Sequence, residues 1–201
     1  MNDRHLFPPA VLQAIQQDTI ASAFPMASEP QTGSLLRTLA ATKPAGLFLE
    51  LGTGTGLSTA WLLDGMDRAS TLLSVDNDGR VQSIARRHLG NDRRVTFHLT
   101  DGATFLATLR DMAFRDMAFD FIFADTWPGK YDHLEETLAL LNPGGLYVID
   151  DMLPQANWPP GHGAKAAALI ATLEQRSDLT LTKLSWVSGV IIATKRNTGN
   201  R

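Results

Sequence analysis

Short apolar runs alternate with stretches of helical spacing along most of the chain. The strand-like runs cover residues 46–51, 71–75, 95–99, 119–124 and 146–149. The helical stretches cover residues 57–63, 79–89, 103–110, 134–141 and 164–175. Strands that alternate with helices predict an α/β domain, doubly wound, whose sheet is mainly parallel.

The amino end of the chain adds two predicted helices. Apolar residues at nearly helical spacing predict a first helix within residues 8–24. Residues 25–33 contain two Pro and one Gly and read as a loop. Ser34 is then placed to cap a second helix over residues 35–42.

The carboxyl end predicts a hairpin. The β-rich runs at 179–186 and 190–194 are separated by Ser188 and Gly189, a pair that suits a tight turn. The hairpin makes the last strand of the sheet antiparallel.

Length and composition favour one folded domain. The 201 residues, of which 44% are hydrophobic and 19% charged, suit a single α/β domain with a sizeable core. We expect this domain to span residues 1–201, with an N-terminal helical segment over 1–43 and the core over 44–195.

Charge and cysteine content exclude several classes of partner and site. The formal net charge is −3 and the basic residues form no stripe, so nucleic acid is not an expected partner. The chain has no Cys, which excludes disulfides, a thiolate nucleophile and a Cys-ligated zinc. No leader-like or 18-residue apolar stretch occurs, so we expect no membrane insertion and a cytoplasmic location.

The strongest chemical signal is a glycine loop between a predicted strand and a predicted helix. Residues 50–56 read E-L-G-T-G-T-G, and Asp76 follows Gly56 by 20 residues, at the end of the next strand. Glycines allow a tight turn and a close approach of ligand to backbone, and a carboxylate at this spacing can accept hydrogen bonds from ribose hydroxyls. The pattern predicts a cofactor that contains adenosine. The alternative is that the glycines only satisfy a turn.

Glu50, two positions before the first glycine, gives the pattern E-x-G-x-G-x-G, which resembles motif I of the class I methyltransferases that use S-adenosylmethionine. The similarity extends over nearly the whole chain. Its segments follow the order of the catechol and caffeoyl-CoA O-methyltransferases: EPQTGSLLRTLA, ELGTGTGLSTAWLL, SVDND, TDGA, FDFIFADTWPGKY and NPGGLYVIDDM.

The resemblance implies a fold and a cofactor site. The fold is Rossmann-like, with a seven-stranded sheet, and the cofactor is S-adenosyl-L-methionine. Glu50 and Ser58 are expected near its amino-acid part with Gly52 beside it, Asp76 on the ribose, and Asp101 by the adenine. The implied cofactor-binding residues are Glu50, Gly52, Thr53, Gly54, Gly56, Ser58, Asp76, Asp101, Gly102 and Ala103.

The same resemblance makes Asp125, Asp150 and Asp151 candidate ligands of a divalent metal. Three carboxylates at the carboxyl ends of neighbouring strands suit hard ions such as Mg²⁺, Ca²⁺ or Mn²⁺. Such an ion would bind two vicinal oxygens of the acceptor and lower the pKa of a hydroxyl. The third ligand of the catechol-type pattern is usually Asn, where this chain has Asp151. Alternatively, Asp150 and Asp151 cap the following segment or bind loop amides.

Asp125 and Lys130 are the candidate catalytic residues. The catechol-type pattern has a lysine base directly after the aromatic residue of this segment, where this chain has Pro128. Lys130 lies two residues further along and is a candidate substitute. The alternative interpretation is that Lys130 is a solvated charge on the surface.

 Several large side chains lie near the predicted carboxyl ends of strands: Trp127, Tyr131, Met152 and Trp158. They can form the walls of a pocket for an aromatic acceptor, or they can pack under the Pro-rich loops. His162 falls in a loop, where a histidine is usually structural or solvated.

The leading hypothesis is therefore an O-methyltransferase that acts on a small hydroxylated, catechol-like acceptor with the help of a divalent metal. A metal-independent methyltransferase, an NAD(P)-dependent oxidoreductase and a non-catalytic cofactor-binding module are the alternatives. The expected partner is the small-molecule acceptor. The sequence is compatible with a monomer and with a homodimer.

Overall fold

The computed structural model describes residues 6–110 and 117–197. Its helices are α1 Leu12–Ala21, α2 Pro30–Ala40, α3 Leu57–Gly65, α4 Gly79–Leu89, α5 Gly102–Arg110, α6 Leu134–Ala139 and α7 His162–Glu174. Its strands are β1 Leu47–Leu51, β2 Thr71–Asp76, β3 Val95–Leu99, β4 Phe119–Ala124, β5 Leu141–Ile149, β6 Leu179–Leu184 and β7 Val190–Lys195. Among the residues described, no helix is long and apolar enough to cross a lipid bilayer.

The seven strands form one sheet in the order β3-β2-β1-β4-β5-β7-β6. Strands β1 to β5 pair in parallel, whereas β7 pairs antiparallel with both β5 and β6. The predicted doubly wound sheet with an antiparallel C-terminal hairpin is confirmed. Its strand order reverses between β1 and β4, and ligands of such sheets bind at this position.

Successive side chains of a strand point to opposite faces, and both faces of this sheet are buried. On β4, Phe121 and Phe123 join the apolar cluster that includes α3, whereas Ile122 and Ala124 join the cluster that includes α7. All four side chains are fully buried. The central strands are therefore continuous apolar runs, as the sequence pattern predicts.

The N-terminal helices pack on the face of the sheet that carries α3. Leu12 of α1 and Leu36 of α2 belong to the same buried cluster as Trp61. Asp18 at the end of α1 accepts hydrogen bonds from the Arg87 and His88 side chains of α4, at 2.9 and 2.7 Å. These contacts connect the N-terminal helical segment to the core. The boundaries proposed for the single domain stay a prediction.

The start of α2 differs from the prediction. The helix begins at Pro30, a residue that suits the first helical turn, and Ser34 lies inside the helix instead of capping it. Gly33 lies inside α2 and faces the Trp61 indole. Only glycine fits there, because a Cβ at Gly33 would lie 2.1 Å from Trp61 Cδ1. The glycine marks a close helix–helix crossing and not a loop.

The boundary between α6 and β5 also differs. The helix ends at Ala139 and the strand begins at Leu141, five residues before the predicted start at Leu146. The pairing with β4 shifts register between Phe119 and Phe121, and Gly144 in the irregular stretch has a φ of +79°. A strand interrupted by Pro and Gly reads as a turn in the sequence.

We predict that Gly33→Ala destabilises the protein by about 2 kcal/mol, since overpacking at a fixed crossing costs more than the gain in helix propensity. The measurement is the free energy of unfolding by denaturant. Gly163→Ala is the matched control, because Gly163 is also helical but has its nearest neighbouring atom at 4.0 Å, so it should be neutral or slightly stabilising. Equal changes in the free energy of unfolding for the two substitutions would contradict a close helix–helix crossing at Gly33.

Candidate functional site

The predicted site residues meet at the carboxyl ends of the parallel strands. Leu51 at the end of β1 pairs with Val75 on one side and with Ala124 on the other, and Ala124 pairs with Ile149. The loops that follow these strands therefore begin at the same edge of the sheet. They carry the glycine loop, Asp76, Asp125 and the Asp150–Asp151 pair.

Two glycines of the loop are required by its close contacts. Gly52 has a φ of +108°, and a Cβ there would lie 2.7 Å from Thr126 Cγ2. Gly56 has a φ of +94°, and a Cβ there would lie 2.7 Å from Ala85 Cβ. The loop is thus held between the segment after β4 and the helix α4.

The backbone N–H groups of the glycine loop are largely engaged within the protein. Those of Gly52 and Thr53 donate to Val75 O, that of Gly54 donates to Asp76 Oδ2 at 2.7 Å, and that of Gly56 donates to Thr53 O. A dinucleotide site uses such amides to bind a pyrophosphate. This geometry does not favour the oxidoreductase alternative.

Glu50 lies beneath the loop and is fully buried. Its carboxylate accepts hydrogen bonds of 2.6 Å each from the hydroxyls of Ser58, Thr59 and Ser74. Ser58 and Thr59 lie in the first turn of α3, where a negative charge is favoured by the helix dipole. Glu50 therefore joins β1, β2 and α3 beneath the loop.

A buried polar chain extends this connection to α4. The Gln82 side-chain amide donates to Thr53 Oγ1 at 3.2 Å, and the hydroxyls of Thr53 and Ser74 lie 2.7 Å apart. Because Ser74 donates its proton to Glu50, Thr53 is the donor to Ser74. Burial raises the pKa of Glu50 to about 7, although the three hydroxyls oppose the shift.

Asp76 is half-buried and reaches the loop directly. Its Oδ2 accepts from the Gly54 amide and its Oδ1 accepts from the Asp78 amide at 2.8 Å. A carboxylate has about four acceptor sites, so each oxygen keeps capacity for another donor. The structure places Asp76, the residue predicted to bind the ribose, next to the glycine loop.

The three residues predicted beside adenine lie at the start of α5. Asp101 is exposed and its Oδ1 accepts from the Thr104 amide at 3.0 Å, as a helix-capping side chain does. Gly102 is packed against Pro128, since a Cβ there would lie 2.9 Å from Pro128 Cβ. Ala103 is half-buried. Pro128, the departure from the catechol-type pattern, thus connects this end of the site to the segment after β4.

The segment 24–28 covers the glycine loop. A Cβ at Gly54 would lie 3.3 Å from the Phe24 ring, and Ser28 Oγ lies 3.4 Å from Asp125 Oδ2. The space left between this segment and residues 52–58 is about 20 Å³. Sequence patterns placed a loop here, but carried no signal that the loop covers the site.

A larger cavity of about 550 Å³ adjoins this segment. Its walls contain every residue predicted to be catalytic or to bind metal: Asp125, Lys130, Asp150 and Asp151. Burial and the charge of Asp150 raise the pKa of Asp125 well above its ordinary value, and Lys130 opposes the shift. Burial also raises the pKa of Asp150, to about 6.

Lys130 is buried, with 3% of its surface exposed, so the solvated alternative is wrong. Its Nζ donates to the main-chain O of Asp150 at 2.6 Å and lies 5.3 Å from the centre of the Tyr131 ring. The ammonium therefore lies at the end of β5, in the wall of the cavity that Asp125, Asp150 and Asp151 also line.

The donor chemistry of Asp125, Asp150 and Asp151 suits a hard cation, but their arrangement does not. Within residues 6–110 and 117–197, no three His, Cys, Asp or Glu side chains are grouped so that they could hold a metal ion. Asp150 Oδ1 already accepts from Ser188 Oγ and from the Asp151 amide. The metal assignment stays a prediction, and it does not fit this arrangement.

An aromatic cluster forms another wall of the cavity. The His162 ring packs against Trp158, with 4.3 Å between ring centres, and its Nε2 lies 3.0 Å from the Tyr131 hydroxyl. Trp127 lies 5.9 Å from both Tyr131 and His162. Met152 is buried in the core. His162, which the sequence places in a loop, is buried at the start of α7, and burial lowers its pKa.

The chain is similar to known methyltransferases in sequence. The profile of a methyltransferase domain family matches residues 49–152. A provisionally named O-methyltransferase of Mycolicibacterium vanbaalenii is 32% identical over 131 residues, and the alignment covers 61% of this chain and 54% of that protein. Another, from Mycobacterium sp. strain KMS, is 30% identical over 153 residues, with 68% and 66% covered. The chain thus matches about half to two thirds of the length of these relatives.

Solved structures share the fold. An O-methyltransferase from Bacillus cereus in complex with SAH superposes with a TM-score of 0.84 at 21% identity, covering 96% of this chain and 94% of that one. The O-methyltransferase TomG from Streptomyces achromogenes, involved in tomaymycin synthesis and solved with SAM, gives 0.80 at 23% identity, with 94% and 90% covered.

We predict that Glu50→Gln flattens the pH dependence of stability between pH 4.5 and about 7. The native pKa of Glu50 is raised, so its contribution is fully present below pH 4.5 and is lost as the pH rises through the native pKa. Between these limits the free energy of unfolding of the wild type should fall by on the order of 3 kcal/mol more than that of the variant. Denaturant unfolding at several pH values measures the difference, and parallel profiles would contradict it.

Proposed function

The chain belongs to the methyltransferase domain family, and we propose that it transfers a methyl group from S-adenosylmethionine to an oxygen of a small hydroxylated acceptor. One observation carries the proposal. The glycine loop with Asp76 and the cavity with Asp125 and Lys130 adjoin at the same sheet edge, where Asp125 N donates to Leu51 O at 2.9 Å.

The residues at the glycine loop fit the donor. Asp76 keeps acceptor capacity for ribose hydroxyls, and the partly exposed Gly52 and Gly54 permit close approach of a ligand to the backbone. Ser58 borders the space beside the loop. In this proposal Glu50 acts by holding the loop, because its carboxylate already accepts three hydrogen bonds. The bound donor supplies an electrophilic methyl group on a sulfonium.

Asp125 and Lys130 are placed to act on the acceptor. The Asp125 carboxyl can orient the acceptor hydroxyl, and the Lys130 ammonium stabilises negative charge that develops on its oxygen. That oxygen forms a bond to the methyl carbon, the C–S bond breaks with its electron pair left on sulfur, and the hydroxyl proton is released to water. No step proposed here requires a divalent metal.

The walls of the cavity favour an aromatic acceptor. Trp127, Tyr131 and Trp158 offer flat apolar surfaces, while polar groups at the sheet edge can orient hydroxyls. A volume of about 550 Å³ suits a small ring compound. We therefore propose a catechol-like acceptor. The cytoplasmic location and the homodimer stay predictions.

We predict that S-adenosylhomocysteine binds the purified protein and that Asp76→Asn weakens binding about 10- to 100-fold, the cost of one or two hydrogen bonds to a charged group. Isothermal titration calorimetry measures the dissociation constants. Asp78→Asn is the matched control, because Asp78 lies two residues away and caps α4. Binding of NADH in preference to S-adenosylhomocysteine would contradict the proposal.

We predict that catechol is methylated faster than its 1,3-dihydroxy isomer, because adjacent hydroxyls can contact Asp125 and Lys130 together. Asp125→Asn should lower kcat at least about tenfold with little change in affinity for S-adenosylhomocysteine. Product formation is followed with a labelled methyl donor. Binding of the donor analogue without turnover of any phenol or alcohol would instead support the non-catalytic module.

A further inference from the structure

We propose that the Lys130 ammonium is the resident cation of the acceptor site, in the role that a divalent metal would otherwise have there. The assignment of this role in the reaction rests on the proposed function. The position of the ammonium in the wall of the cavity that the three carboxyl groups also line rests on the geometry alone.

A constrained turn holds Lys130 in the interior. Gly129 has a φ of +88°, and a Cβ there would lie 2.2 Å from Leu51 Cδ1, so the turn lies directly against β1. The Gly129 carbonyl accepts from the buried Tyr147 hydroxyl, and the Lys130 amide donates to Trp127 O at 3.1 Å. The backbone on both sides of Lys130 is therefore fixed, and its side chain is directed to the end of β5.

The surroundings of the ammonium are those of a bound cation. A buried charge is tolerated when opposite charges and hydrogen bonds compensate it. Lys130 Nζ donates to the Asp150 carbonyl at 2.6 Å, and Asp125, Asp150 and Asp151 border the same cavity. The π face of Tyr131 adds a further favourable contact at 5.3 Å. Lys130 thus has a direct carbonyl acceptor and a π face, and it shares its cavity with three carboxyl groups.

A divalent ion would have to compete with this arrangement. The fixed ammonium borders the same cavity as Asp125, Asp150 and Asp151, and it would repel a second cation there. Asp150 is in addition engaged by Ser188 and by the Asp151 amide. An ammonium is a compact charge with three donors, so it can bind an acceptor oxygen without any metal.

The test is a titration of the wild-type protein with MgCl₂ and, separately, MnCl₂, by calorimetry and by thermal unfolding. We expect no saturable binding below about 1 mM and affinity for S-adenosylhomocysteine that changes less than about twofold between Mg²⁺ and EDTA. Saturable binding of either metal that is lost in Asp151→Asn would overturn the proposal. This outcome does not depend on any lysine variant.

Lys130→Met removes the ammonium and keeps an unbranched apolar stem. This variant should lower kcat at least about tenfold, because no cation then opposes the charge on the acceptor oxygen, while it still binds S-adenosylhomocysteine. Lys165→Met is the matched control, because Lys165 is exposed and its Nζ lies over the Trp127 ring at 4.3 Å. A folded Lys130→Met protein with unchanged kcat would overturn the assignment. Failure of the wild type to bind S-adenosylhomocysteine would instead contradict the proposed function.

Discussion

The buried carboxylate of Glu50 is the constraint on which the donor half of the site depends. Removing a carboxylate from water is costly unless hydrogen bonds replace the lost solvation. Ser58, Thr59 and Ser74 supply these hydrogen bonds, so α3 and β2 are fixed relative to β1. The glycine loop connects β1 to α3, so these three contacts fix the elements at both of its ends.

The topology of the sheet then brings two different sites together. The order reverses between β1 and β4, so the loops after these strands diverge to opposite sides and leave a crevice. Asp76 lies on the β2 side of the crevice, and Asp125 and Lys130 lie on the β4 and β5 side. Thr126 fills the place of a Gly52 side chain and Pro128 packs against Gly102, so each half limits the shape of the other.

The sequence was most informative where local pattern and burial agree. The apolar run of β4 and the glycine loop with Asp76 could be predicted because both are marked by local sequence: an uninterrupted apolar run, and closely spaced glycines between a strand and a helix. Gly33 could not be assigned correctly, since its role depends on Trp61, which is 28 positions away in the chain. Lys130 shows the same limit. A lysine in a Pro-Gly-Lys-Tyr turn is usually solvated, but here the turn packs against Leu51 of β1, and Lys130 is buried.

Residues 24–28 and the preceding helix α1 contact both the donor side and the acceptor side of the site. Phe24 lies against Gly54 on the donor side, and Ser28 lies beside Asp125 on the acceptor side. Thr19 Oγ1 of α1 donates to Ile15 O and lies 2.8 Å from Thr55 Oγ1 of the glycine loop, from which it accepts, so the preceding helix is tied to the same site. Only about 20 Å³ of space lies between this segment and residues 52–58. Because the same short segment contacts Gly54 and Asp125, the donor side and the acceptor side of the site share one wall.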